Sequence, residues 1–139
     1  KRQEDQQSIY DFGKNLGIAF QLQDDYLDAF GDAKSFGKQT GGDIIENKKT
    51  FLFLKALEFS SEESKKQLQH LFSISAKDNN DKIASAKDIF VTSGAAKASQ
   101  REIEYYTNKA FSVLNNISVT EDKKVLLRQF GESLMTRSV

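Results

Sequence analysis

The chain has 139 residues, 38% of them hydrophobic and 29% charged, with no proline and no cysteine, and 20 Lys and Arg balance 20 Asp and Glu to a net charge of zero. That length suits about one modest core, and zero net charge excludes the long-range field that gathers nucleic acid or an anionic membrane. The lack of cysteine excludes disulfide and thiolate chemistry and is compatible with a reducing, cytoplasmic setting, while the longest apolar run, FLFL at 51–54, is far too short to cross a bilayer.

In chain order, Ile9, Phe12, Leu16, Phe20 and Leu27 recur at spacings of three, four or their sum, and predict one long helix ending near Phe30. Gly13 and Gly17 lie inside it. Each weakens a helix by roughly 1 kcal/mol, so another helix is expected to come very close on that face. The opening KRQEDQQSIYDFG has no methionine and reads as the middle of a helix, which gives the expectation that the chain is a fragment. The four glycines of GDAKSFGKQTGG, 31–42, predict a loop.

A second helix is expected from Asp43, whose carboxylate suits a helix start, through IIENKKTFLFLKALEF to residue 59. Ser60 and Glu63 then have capping-box spacing before a short amphipathic helix carrying Leu68, Leu71 and Phe72. SAKDNND, 75–81, reads as a turn, and KIASAKDIFVTSG as a helix closed by Gly94. Ile103, Tyr106, Ala110, Leu114 and Ile117 place one stripe on the next helix, and Thr120 caps a last one with Leu126, Phe130 and Leu134. No useful stretch alternates with period two. The expectation is a single all-α domain over 1–139, a bundle of six helices without repeats.

The chemistry concentrates in FQLQDDYLDAFGD, 20–32, which holds Asp24, Asp25, Asp28 and Asp32. On a helix Asp24 and Asp28 project to one side while Asp25 lies about 100° round from Asp24. Like charges so placed repel, more strongly where water is excluded, so a bound cation explains them economically. Hard oxygen ligands select Mg²⁺, which keeps waters and completes its shell with phosphate oxygens. Gln21 lies on the same face as Asp24 and could donate to the same ligand. Lys38 and Lys48, in and just beyond the glycine-rich stretch, could fold back onto a phosphate. GDAKSFGKQ is not a P-loop, having five residues between Gly31 and Gly37 and Gln39 where Ser or Thr is needed. Nor is DDYLDAFGD an EF-hand loop, because Tyr26 and Ala29 stand where a ligand and a glycine belong.

The stretch GIAFQLQDDYLDAFGDAKSFGKQTGGDIIENKKT resembles the second aspartate-rich region of the trans-isoprenyl diphosphate synthases, on which Phe20, Gln21, Asp24, Asp25, Asp28, Gly37, Lys38, Asp43, Lys48 and Thr50 all fall. FGKNLG upstream, TSGA at 92–95 and the closing LLRQFGESLMTR resemble the family more weakly, and Leu52 departs from it where many members have proline. The resemblance implies the C-terminal part of an isoprenoid-synthase-type helical bundle. It implies Mg²⁺-dependent condensation of an allylic diphosphate with isopentenyl diphosphate, farnesyl or geranylgeranyl type by preference, in a homodimer. By this match Asp24 would ligate Mg²⁺, with Asp25 and Asp28 ligating it or holding its waters. Lys38, Lys48 and Gln21 would be the catalytic contacts to the allylic diphosphate, Phe20 would line the cavity, and Asp43 would fix a water or Lys38. The family's first aspartate-rich motif has no counterpart in this sequence, so half a site is expected.

Competing readings stand beside these. The aspartates could form a solvated acidic face, Lys48 a surface lysine like Lys49 and Lys55, and Arg137 a solvated terminus. His70 has no second histidine with which to build a zinc site, and Tyr105 and Tyr106 suit core or dimer packing. The alternative function is a non-catalytic helical subunit or fragment that completes a partner's cavity.

Overall fold

A computed structural model of the chain describes residues 2–31, 41–75, 79–117 and 119–136; side chains are described from residue 6 onward. Among the described residues there are seven α-helices and no strand. They are α1 (Arg2–Phe30), α2 (Gly42–Ile45), α3 (Phe51–Phe59), α4 (Glu62–Leu71), α5 (Asn79–Thr92), α6 (Ala95–Asn115) and α7 (Glu121–Met135). The all-α expectation holds.

The helix expected over 43–59 is two helices, which corrects the reading. Two residues break it. Asn47 adopts φ 59, a left-handed conformation that asparagine tolerates better than most residues. Thr50 then takes an extended conformation and its hydroxyl accepts the N–H of Phe53 at 3.4 Å, starting α3 anew. The next cap also moves by one residue. Ser61 accepts from the N–H of Ser64 at 3.3 Å, whereas Ser60 ends α3. Thr120 does sit at the start of α7, without a side-chain cap hydrogen bond. Gly94, at φ 93, closes α5 as expected.

The structure divides into two compact units, with residues 24–100 in one and 2–23 with 101–136 in the other. The 24–100 unit buries Ala29, Ile44, Leu52, Phe53, Ala56, Leu68, Phe72, Ala86, Ile89, Phe90 and Ala95 together. Phe72 stacks obliquely on Phe53 with centroids 4.5 Å apart and lies 6.2 Å from Phe90, so three aromatics tie α3, α5 and the end of α4 into one core.

The other unit is built on Phe12, Leu16, Ala110, Leu114 and Ile117, with Phe111, Leu127 and Leu134 packed against them. The predicted stripes supply this core. Leu126 and Phe130, however, are exposed, because α7 turns the neighbouring Leu127 and Gly131 inward. A Cβ on Gly131 would meet Phe111 Cζ at 2.9 Å, so glycine is what admits that ring. The expectation for Gly13 and Gly17 is overturned, since among the described residues nothing lies within 4 Å of where their Cβ atoms would stand. They border an apolar groove of about 350 Å³ lined also by Ile9, Phe20, Phe130 and Leu134.

Candidate functional site

The carboxylates sit on the last two turns of α1, within the 24–100 unit. Asp24 and Asp25 are half-buried; Asp28 is buried, at 4% exposure. Asp28 is committed locally. Its Oδ2 accepts the backbone N–H of Asp43 at 2.8 Å, and its backbone carbonyl accepts the N–H of Gly41 at 2.5 Å. This side chain therefore brings a carboxylate to the start of α2, where unsatisfied N–H groups favour negative charge. Glycine permits the approach. Gly41 has φ 86, and a Cβ there would stand 2.6 Å from Ile83 Cδ1, while one on Gly42 would stand 3.5 Å from Asp28 Oδ1.

Asp43 extends the series to a cation. Its Oδ1 lies 3.9 Å from Lys48 Nζ, and its carbonyl accepts the N–H of Lys48 at 2.8 Å. Lys48 is more than half exposed and Asp43 mostly covered, so the ion pair itself is worth little and Lys48 keeps its head in water. The structure thus joins Asp28, Asp43 and Lys48 in sequence, 20 residues apart from first to last. Thr50 is buried as the cap of α3 and fixes the far end of this connection.

The remaining predicted residues are Phe20, Gln21 and Lys38. Phe20, half-buried, and Gln21, exposed, belong to the unit of residues 2–23 and 101–136. Lys38, with Gly37 and Asp32, lies outside the described residues, as does Arg137. His70 is exposed on α4, and Tyr105 is exposed with its ring edge-on to Tyr106 at 5.0 Å.

No group of three or more His, Asp or Glu side chains among the described residues is placed to hold a metal ion. The donors still suit Mg²⁺, which binds through one or two carboxylates and keeps several waters. Asp24 and Asp25 offer hard oxygens at half-buried positions, and Asp28 has its second oxygen beside Gly42.

Three contributors escaped the sequence reading: Gly41, Asn47 and Lys82. Lys82 is 2% exposed, and its ammonium donates to Ile74 O at 2.9 Å, Ile45 O at 3.4 Å and Asn47 Oδ1. Burial lowers its pKa. Tyr26 is a fourth. Its hydroxyl accepts from Gln100 Nε2 at 2.9 Å, its ring lies 5.0 Å from Phe30, and burial raises its pKa.

Comparison with known proteins gives the family and the fold. A family model described as polyprenyl synthetase matches residues 1–90. The chain is 41% identical over 90 residues to a short chain isoprenyl diphosphate synthase of Methanothermobacter thermautotrophicus, covering 65% of this chain and 27% of that protein. It is 41% identical over 113 residues to a geranylgeranyl diphosphate synthase of Sulfolobus acidocaldarius, covering 81% of this chain and 33% of that one. Among solved structures, a crystal structure of geranylgeranyl pyrophosphate synthase matches with a TM-score of 0.85 at 43% identity, covering 97% of this chain and 42% of the other. A geranylgeranyl pyrophosphate synthetase from Pyrococcus horikoshii matches with a TM-score of 0.82 at 27% identity, covering 95% of this chain and 39% of the other. The chain spans less than half the length of each.

Proposed function

The chain belongs to the polyprenyl synthetase family, and from that premise we propose that it carries part of the active site of a Mg²⁺-dependent isoprenyl diphosphate synthase. The reaction is of farnesyl or geranylgeranyl type. The C–O bond of an allylic diphosphate breaks, the alkene of isopentenyl diphosphate attacks the resulting carbocation to form a C–C bond, and a proton is lost. Both diphosphates are the substrates of this reading, and the rest of the site belongs to the length of the relatives that this chain does not span. A homodimer is part of the same proposal.

The observation that carries the reading is the run of contacts Asp28 to Asp43 to Lys48: the buried Asp28 carboxylate at the end of α1 accepts the Asp43 N–H, and the partly covered Asp43 carboxylate in turn faces the Lys48 ammonium. Held by Asp24, with Asp25 and Asp28 ligating or ordering its waters, Mg²⁺ would supply neutralisation of the charge that develops on the departing diphosphate. Lys48 and Lys38 bring positive charge to that diphosphate, Gln21 donates a hydrogen bond to it, and Phe20 lines the cavity. Asp43 orients Lys48 and a water or Lys38.

The test is turnover of isopentenyl and geranyl diphosphates by this polypeptide, with and without Mg²⁺, products being read by mass spectrometry, alongside calorimetric titration with Mg²⁺ and diphosphate. Binding without elongation is the expected result for a partial site. Asp24→Ala should abolish the binding, and a mutant that binds as the wild type does would sink the assignment. A non-catalytic helical subunit would show neither turnover nor binding.

A further inference from the structure

Lysine is almost never fully buried unless its ammonium is well partnered. Lys82, on the first turns of α5, is such a case and has no part in the proposed chemistry. Its three acceptors come from two separate segments. Ile45 O, at the end of α2, and Asn47 Oδ1, in the link that follows it, form one side, and Ile74 O, in the segment after α4, the other. The Asn47 amide spans the same gap, donating from Nδ2 to Ile74 O at 3.3 Å. One buried cation therefore clamps the link between α2 and α3 onto the segment after α4.

The clamped link is where the backbone does something unfavourable. Asn47 is the non-glycine residue described with positive φ, and immediately after it Lys48 N–H returns to Asp43 O at 2.8 Å. That reversal brings the Lys48 ammonium back to the Asp43 carboxylate. Without the turn, Lys48 would continue along α2 instead of returning beside it.

We infer that Lys82 is a positioning residue for the diphosphate site: its buried ammonium holds residues 45–47 in the left-handed turn that presents Lys48 beside Asp43. The inference rests on the reading of Lys48 as a diphosphate contact. Removing the ammonium takes that donor from Ile45 O and Asn47 Oδ1 and leaves Ile74 O with the Asn47 amide, all in a partly buried place, and the link is then free to release Asn47 from its costly conformation. Burial lowers the Lys82 pKa, so its hydrogen bonds act against a desolvation cost.

The test uses the 139-residue chain as wild type, Lys82→Met and Lys82→Arg, with Mg²⁺ and inorganic diphosphate as the probe. NMR backbone couplings and carbon shifts at residue 47 report its φ, and calorimetry reports affinity, each also in a Lys48→Ala background. In Lys82→Met, residue 47 should leave the left-handed region and affinity should fall about tenfold, the size of one lost charge-assisted contact. Lys48→Ala should then cost nothing further, whereas it weakens the wild type; a purely structural Lys82 would give additive losses. Lys82→Arg should restore both readouts. Residue 47 remaining left-handed in Lys82→Met, or Lys48→Ala costing the same in both backgrounds, overturns the inference. Should Lys82→Met fail to fold, Asn47→Gly removes one of the three acceptors while leaving the left-handed conformation open to residue 47, and is read by the same two measurements. Wild-type chain that binds no diphosphate overturns the functional reading, and the positioning role with it, whereas binding intact with an unmoved turn overturns Lys82 alone.

Discussion

Asp28 does two things that a single substitution can separate. Its carboxylate accepts the Asp43 N–H in a nearly buried position and, on the proposed reading, serves the metal. Asp28→Asn keeps an oxygen to accept that hydrogen bond, so thermal stability should fall by about 1 kcal/mol or less while Mg²⁺ affinity is lost. Asp28→Ala removes the acceptor too and should cost about 1–3 kcal/mol. Calorimetric unfolding and Mg²⁺ titration of the two variants check the split; equal stability losses would contradict it. Gly41→Ala places a Cβ into Ile83 at positive φ, and a loss of about 2 kcal/mol is expected in denaturant unfolding. Lys82 also gives stability a pH dependence. Its folded pKa lies below the ordinary 10.5, so over that interval the unfolded chain binds more protons and stability rises with pH. Tyr26, raised above 10.0, acts in reverse: beyond that pH the unfolded chain loses a proton the folded one keeps, and stability falls. Unfolding free energies across this range should rise, then turn down, and Lys82→Met should remove the rise.

At the level of elements, the predicted helix cores survive and their ends move. α1 and α6 lie where periodicity puts them, because burying an apolar stripe fixes a helix over several turns, while α5 and α7 lie where expected although Leu126 and Phe130 of α7 face solvent. Ends are set by single hydrogen bonds, and two adjacent serines offer the same chemistry. The Ser61 cap predicts that Ser61→Ala costs about 1 kcal/mol. Ser60→Ala should cost less, since its hydroxyl is buried without a hydrogen-bond partner among the described residues. The reverse order in thermal melts would restore the capping box read from the sequence. Gly13 and Gly17 carry a sharper lesson. Paired glycines read as a close helix crossing, yet both border an open groove. Gly13→Ala in this chain should therefore raise stability by about 0.5–1 kcal/mol through helix propensity alone, and a fall in melting temperature would show that something does pack there.

For the whole molecule, charge balance is the controlling property. A net charge of zero and a sequence pI of about 6.8 place minimum solubility near neutrality. Light scattering at low salt should peak near that pH, and a peak far from it would mean that the charges are not balanced on the surface. No helix among the described residues is long and apolar enough to cross a membrane. With no net charge, the proposed attraction for a diphosphate would come from a few lysines placed by the fold.

The sequence by itself determined the helical class, the core stripe of Phe12, Leu16, Ala110, Leu114 and Ile117 and the acidic series of Asp24, Asp25 and Asp28, because periodicity and motif spacing are one-dimensional properties written along the chain. It also carried the family, through the residues from Phe20 to Thr50. Tertiary structure alone decided that Asp28 reaches the start of α2, that the helix expected over 43–59 breaks at Asn47, and that Lys82 is buried. Each of these depends on partners far apart in sequence, such as Asp28 with Asp43 or Lys82 with Asn47. A lysine on an amphipathic helix reads as solvated until three oxygens from other segments are seen to surround it. Which polar group is buried, and therefore must be satisfied, is a property of packing in three dimensions.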